Sequence, residues 1–285
     1  MPKPVKITAD TPCDIGPVLQ ERYDVKLIPL HVTMGDTEYL DGININRDDI
    51  YANWEKNGTL PKTSAVSVGE YLDIFKGYLS QGYEVVHFGL GSALSVSLQN
   101  ARLAAQELEG VYVIDSCSLS TGFGLLVCEA GERVKKGMCA ADIAAEVEPL
   151  NQKTSASFIL DTLVFMRAGG RCSSLVQIGA SLMNIKPSIQ VLNEKQGSMV
   201  VGKKYMGKLS RCISKYIEDQ LKDREDIVRD RIFITHSGFP EKDLERMKEE
   251  VESFGPWGEV LITDAGSTIS SHCGPGCIGV LFLTK

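Results

Sequence analysis

Ser92, Ser95 and Ser97 lie close together in the stretch Phe88 to Ala101, FGLGSALSVSLQNA, beside the glycines Gly89 and Gly91. The stretch follows the apolar run Glu84-Val85-Val86-His87 and leads into the helix-like Leu98 to Leu108. A buried strand that ends in a glycine turn and opens a helix presents unpaired backbone N–H groups and the positive end of a helix dipole at one point. Such a point suits an anion. The serine hydroxyls stand ready to orient a small carboxylate or phosphate there, although Ser95 is also a common type of helix cap.

Other chemistries fit less well. Gly89-Leu90-Gly91 resembles the start of a dinucleotide fingerprint, but Leu94 replaces its third glycine and no acidic residue follows at the required distance. The Gly-x-Ser-x-Gly nucleophile elbow is absent, since the chain runs Gly91-Ser92-Ala93. His272, expected in a Gly-Pro-Gly loop, could serve a serine as base, yet a hydrolase also needs an orienting carboxylate. Asp115 and Asp264 both remain open for that part. Cys273 and Cys277 flank Gly274-Pro275-Gly276 beside His272, but no second ligand pair follows, so no metal is expected.

The chain of 285 residues is long enough for a sizeable core and a pocket, in one large or two modest domains. Its 43% hydrophobic and 24% charged residues are ordinary for a globular protein. A net charge of -7 argues against nucleic acid and against anionic membrane surfaces. The N-terminal MPKPVKITAD has no apolar signal core, and no segment approaches a membrane span, so a cytoplasmic location is expected. Eight cysteines without a Cys-x-x-Cys pair read as reduced thiols.

The elements that must position these groups alternate. Strands are expected at Val5–Ala9, Val25–Met34 (with Pro29 inside it), Glu84–His87 and Val111–Asp115. Helices are expected at Pro17–Tyr23, Arg47–Lys56 capped by Asn46, Val68–Leu79, Thr121–Lys136 and Ala140–Leu150. Tyr39-Leu40-Asp41-Gly42 reads as a turn and Lys62 to Ser67 as polar and aperiodic. Such alternation implies a mostly parallel sheet covered by helices, with Thr63, Ser95 and the Ser116 to Ser120 turn at the carboxyl ends of its strands. A second α/β unit is expected from Gln152, giving domains 1–151 and 152–285. It reads as strand Ser155–Leu160, helix Asp161–Ala168, helix Ser173–Leu182, hairpin Ile189–Leu192 with Met199–Lys204, and helix Leu209–Leu221. A charged connector from Asp223 to Arg231 precedes strand Arg231–His236, helix Lys242–Phe254, strand Glu259–Thr263 and the apolar run Cys277–Leu283.

Ile7-Thr8-Ala9-Asp10 with Cys13-Asp14-Ile15, Lys62-Thr63-Ser64, Gly91 to Gln99 and Val113-Ile114-Asp115-Ser116 with Ser120-x-Gly122-x-Gly124 form an ordered set of motifs. With Gly169-Gly170-Arg171, Ile185-Lys186-Pro187 and His272-Cys273-Gly274-Pro275-Gly276, the whole chain resembles the DegV family of fatty-acid-binding proteins. The resemblance implies two α/β domains holding one long-chain fatty acid in a tunnel between them. It also implies a fatty-acid kinase subunit as partner, to which the carboxylate is presented for acyl-phosphate formation. On the family's pattern the carboxylate contacts fall on Thr63, Ser95 and His272, with Ser64, Gly91, Ser92 and Gly274 as neighbours and Arg171 facing the kinase. Ala65-Val66, Val96-Ser97-Leu98 and Cys273 depart from the family's usual residues. No cofactor beyond the bound fatty acid is implied. The competing expectation is a small acyl hydrolase or transferase using Ser95 and His272.

Overall fold

A computed structural model describes residues 3–174 and 185–285. In the first half, β1 (Val5–Asp10), α1 (Gly16–Arg22), β2 (Lys26–Ile28), β3 (His31–Met34), β4 (Thr37–Leu40), α2 (Arg47–Asn57) and β5 (Lys62–Ser64) follow one another. Then come α3 (Val68–Ser80), β6 (Glu84–Gly89), α4 (Ser97–Ala105), β7 (Val111–Asp115), α5 (Ser120–Lys135) and α6 (Ala140–Val147). Strands β2-β1-β6-β7 form a wholly parallel sheet. Both pairs α3–α4 and α5–α6 pack against it, which is why Ile7, Ala9, Val85, Val86 and Phe88 are all buried.

Pro29 divides the expected strand Val25–Met34. A proline cannot donate a ladder hydrogen bond, so the chain leaves the parallel sheet after β2 and re-enters as β3 in a separate antiparallel sheet, β4-β3-β5. That small sheet claims two segments read otherwise from sequence. Tyr39 and Leu40 are in β4, and Lys62 to Ser64 form β5 with Thr63 paired to Val32.

The second half holds β8 (Thr154–Ile159), α7 (Val164–Gly169), β9 (Ile185–Leu192), β10 (Ser198–Met206), α8 (Leu209–Leu221) and β11 (Ile227–His236). It ends with α9 (Glu241–Glu252), β12 (Glu259–Asp264), α10 (Ser267–Cys273) and β13 (Ile278–Thr284). These strands form one sheet in the order β10-β9-β8-β13-β11-β12, antiparallel except between β11 and β12. Ile213, Ile217 and Leu221 of α8 enter a core shared with Ile232, Val280 and Phe282 of the sheet. The expected charged connector is partly strand: β11 starts at Ile227, and Arg231 pairs with Glu259 at 3.1 Å. Most of the expected helix Ser173–Leu182 lies outside the described residues. The expected division at 151/152 falls within a 3-10 helix, Glu148–Lys153.

Helix α5 lies between the two large sheets, touching β1 and β6 on one side and β8, β11 and β13 on the other. A helix packed on opposite sides must be apolar or small around its circumference. Its residues Thr121 to Cys128 are accordingly all buried. The approach requires glycine: a Cβ on Gly124 would stand 2.6 Å from the Cys13 carbonyl oxygen, and one on Gly122 2.8 Å from Ala156 Cβ.

Candidate functional site

The carboxyl ends of β6 and β7 reach the seam between the sheets, where β5 and α10 also meet. Thr63 on β5 and His272 on α10 join there, Oγ1 to Nε2, at 2.9 Å. His272 therefore sits on the last turn of a helix and not in the Gly-Pro-Gly loop, and α10 is an element the sequence reading did not find. Its motif Ser-Thr-Ile-Ser-Ser is poor in strong helix formers, so tertiary contacts decide its conformation. The first amides of α10 are held from the other half of the chain: Gly266 N–H donates to Asp14 at 2.9 Å and Ser267 N–H to Asp41 at 2.8 Å. Gly266 at the N-cap has no side chain of its own to offer, and these two carboxylates supply the cap. Sequence reasoning gave Asp14 and Asp41 no role, because a cap delivered over more than 200 residues leaves no local spacing.

The imidazole of His272 is neutral at pH 7. Burial, and then the positive Arg171 nearby, hold it down to about 4. Among the described residues Nδ1 has no hydrogen-bond partner, and it faces Gly169 so closely that any side chain there would collide with it. An unpartnered N–H is costlier to bury than an unpartnered lone pair, and a nearby guanidinium favours the lone pair further. The proton accordingly belongs on Nε2, which donates to Thr63 and frees the threonine hydroxyl to donate onward.

Ser95 stands in the loop between β6 and α4. Its Oγ accepts the Ser97 N–H and donates to Ser97 Oγ, both at 3.1 Å. Ser92 turns away to donate to Asp115 at 2.6 Å. The free amides expected of the glycine turn are taken: Leu90 by Asp10, Gly91 by Ser118, Ser92 by Asp115, Ala93 by Gln196 and Leu94 by Gly91. Side-chain hydroxyls, the imidazole and the Arg171 guanidinium are the polar side-chain groups at this site.

Thr63, Ser64, Ser92, Ser95, Arg171, Thr268 and His272 border one cavity of about 290 Å³ whose other lining residues are apolar, and among the described residues the buried Thr268 hydroxyl has no hydrogen-bond partner. Gly91 and Gly274 lie behind the wall. Gly91 packs against the Gln196 carbonyl, and Gly274, at φ +72°, has Phe165 where a side chain would begin. Gly170 ends α7 at φ +67° and turns Arg171 outward, where its Nη1 donates to the Gly169 carbonyl at 2.6 Å. Arg171 thus lies at the mouth of the same cavity as Thr63, Ser95 and His272. Beyond Leu119, Met199, Ile269 and His272, which line both spaces, a narrow chamber of about 50 Å³ continues inward. Its far walls include Phe158, Met166 and Leu281. A mostly apolar vestibule that carries these few polar groups thus opens into an apolar passage between the sheets.

The arrangement does not make a hydrolytic triad. His272 Nε2 is bonded to Thr63 instead of Ser95, and neither Asp115 nor Asp264 meets its Nδ1. Asp115 is engaged by Ser92 and the Cys117 amide, and Asp264 pairs with Arg47. Among the described residues no group of three or more His, Cys, Asp or Glu side chains could hold a metal ion. No helix among them is long and apolar enough to cross a membrane.

Residues 4–285 match the family model described as "Uncharacterised protein, DegV family". A DegV domain-containing protein of Clostridium perfringens is 31% identical over 71% of this chain and 72% of its own length. A second from the same organism is 28% identical over 97% of this chain and 96% of its own. A solved DegV family protein from Thermus thermophilus, described for its fatty acid binding, superposes with a TM-score of 0.87 at 26% identity, covering all of both chains. By family match and by fold, the chain belongs to the DegV family.

Proposed function

We propose that this protein binds a long-chain fatty acid, with its carboxylate at Thr63, Ser95 and His272 and its tail in the passage between the sheets. The carrying observation is the position of the Thr63–His272 pair, which sets polar groups in the wall of the vestibule with His272 at its junction with the apolar chamber. The fatty acid binding of the similar Thermus thermophilus protein supports the same ligand class. Each buried methylene contributes about 0.8 kcal/mol, so a long chain supplies on the order of 10 kcal/mol. Desolvating the carboxylate costs several kcal/mol, which the Thr63 and Ser95 hydroxyls offset, with the His272 Nε2–H holding Thr63 so that its hydroxyl can donate. Filling a chamber this narrow requires side chains to part, and the unbranched Met166 and Met199 in its walls suit that.

In this reading the division at 151/152 separates two domains that share the ligand, and the protein is a carrier working in the cytoplasm. The carboxylate end faces the mouth, where exposed Arg171 would engage a fatty-acid kinase subunit that forms the acyl phosphate. A guanidinium fork suits a carboxylate or phosphate group of such a partner. Native mass spectrometry of the purified protein, with extraction of whatever it holds, tests the ligand. Reconstitution with a fatty-acid kinase and ATP tests delivery, and acyl-phosphate formation independent of this protein would refute it.

A further inference from the structure

Among the hydroxyls of the cavity wall, Thr268 stands apart. Thr63 meets His272, Ser92 donates to Asp115, Ser95 donates to Ser97, and Ser64 is open to solvent. Thr268 is 3% exposed, and among the described residues its buried hydroxyl has no partner. The other hydroxyls of α10 are all engaged: Ser267 donates to the Ile45 carbonyl at 3.0 Å, Ser270 to Ala265 at 3.1 Å and Ser271 to Ser267 at 2.7 Å. A threonine within a helix commonly turns its hydroxyl to the carbonyl four residues back. Thr268 is the second residue of α10, so that carbonyl belongs to Asp264 at the end of β12, and no such bond forms.

A buried hydroxyl without a partner forfeits its hydration and gains nothing in exchange. Valine would occupy nearly the same volume without that loss. Thr268 lies one helical turn before His272, on the face of α10 that borders the cavity. A helical threonine has two accessible χ1 wells, and a step between them exchanges its hydroxyl with its methyl. The hydroxyl can therefore turn to an occupant of the cavity while α10 stays in place, held by the Asp14 and Asp41 caps.

Thr268 borders the vestibule and not the inner chamber. It stands with Thr63, Ser95 and His272, at the head-group end of the passage. A carboxylate offers about four lone-pair positions and no proton, and Thr63 and Ser95 supply one donor each. Ser95 must leave Ser97 to donate to the ligand, whereas Thr268 has no bond to give up.

We propose that Thr268 is a third hydroxyl donor to the bound carboxylate, and that this ligand is the partner its hydroxyl lacks within the protein. Stability is thereby exchanged for binding: the hydroxyl that weakens the fold without ligand strengthens the hold on an acid.

The inference rests on the fatty-acid reading, and its test separates the two. Delipidated wild type, Thr268→Val and Thr268→Ser are titrated with dodecanoate and with dodecan-1-ol by calorimetry, and their thermal unfolding is followed without ligand. Thr268→Val should bind dodecanoate about tenfold or more weakly, and its preference for acid over alcohol should shrink, since only the acid offers a charged acceptor. Its melting temperature without ligand should rise by roughly 1–4 °C, because valine matches threonine in helix propensity and the unsatisfied hydroxyl is gone. Thr268→Ser keeps a hydroxyl and should retain most of the wild-type affinity for dodecanoate. Equal losses for acid and alcohol in Thr268→Val would assign the residue to wall shape alone. Unchanged dodecanoate binding, or a lower melting temperature, would show the hydroxyl already satisfied without the ligand. Each of these three results overturns the inference and leaves the fatty-acid reading intact. Failure of dodecanoate and oleate to bind the wild type would sink that reading, and the inference with it.

Discussion

Thr63 and His272, 209 residues apart in sequence, meet at 2.9 Å across the seam where β5 faces α10. One hydrogen bond thus ties together the two halves of the chain that border the cavity. Thr63→Val should leave the imidazole Nε2–H unsatisfied and remove a donor to the carboxylate. A charge-assisted bond is worth roughly 1.5–3 kcal/mol, so fatty-acid affinity should fall about tenfold or more, as read by displacement of a fluorescent fatty acid. Ser95→Ala should weaken binding by a similar factor while costing stability about 1 kcal/mol or less. Unchanged affinity in both variants would remove the carboxylate from this site.

The tail passage predicts dependence on chain length. Met199 lines both the vestibule and the inner chamber, so Met199→Trp should plug the junction between them. Octadecanoate should then bind at least about tenfold more weakly while octanoate is much less affected, with an overpacking cost of about 1–3 kcal/mol in thermal unfolding. Equal losses for both ligands would place the tail elsewhere.

Much of this was legible in advance because it is local. The parallel sheet follows from apolar runs such as Val85 to Phe88 separated by amphipathic segments, and Asn46 announces α2 by a capping box with Asp49. Thr63, Ser95 and His272 were singled out from the residues themselves and Arg171 through the family resemblance, and the fold brings all four to one cavity. What stayed hidden is what only distant contacts fix. Three-residue β5 has no periodicity to detect, and α10 depends on Asp14 and Asp41 for its cap. The use of Gly91 as a packing surface for Gln196, in place of an anion-binding turn, likewise depends on a hairpin a hundred residues away.

Asp14 gives a prediction in pH. Its buried carboxyl is pushed up to about 7 by desolvation, against the bonds from Ser120 and Gly266. A carboxyl raised on folding contributes stability that is complete below its unfolded value near 3.8 and is lost as pH rises through about 7. The stability of wild type relative to Asp14→Asn should therefore decline from pH 4 to pH 7, in denaturant titrations run at each pH. A difference constant across that window would show that Asp14 ionises as freely folded as unfolded.

Arg171→Ala separates holding from delivery. The side chain is exposed at the cavity mouth, where a solvent-screened ion pair contributes about 1 kcal/mol or less, so affinity should fall by no more than about fivefold. Acyl-phosphate yield with a fatty-acid kinase and ATP, at limiting carrier, should fall much further. A yield equal to wild type would take Arg171 out of the docking surface.

The most direct test of the central claim is native mass spectrometry of protein purified from a bacterial host, followed by denaturing extraction and identification of what is released. The account predicts about one long-chain fatty acid per chain, exchangeable for added oleate, since an apolar passage of this kind should fill during expression. Repeated recovery of lipid-free protein that also fails to take up added fatty acid would contradict it.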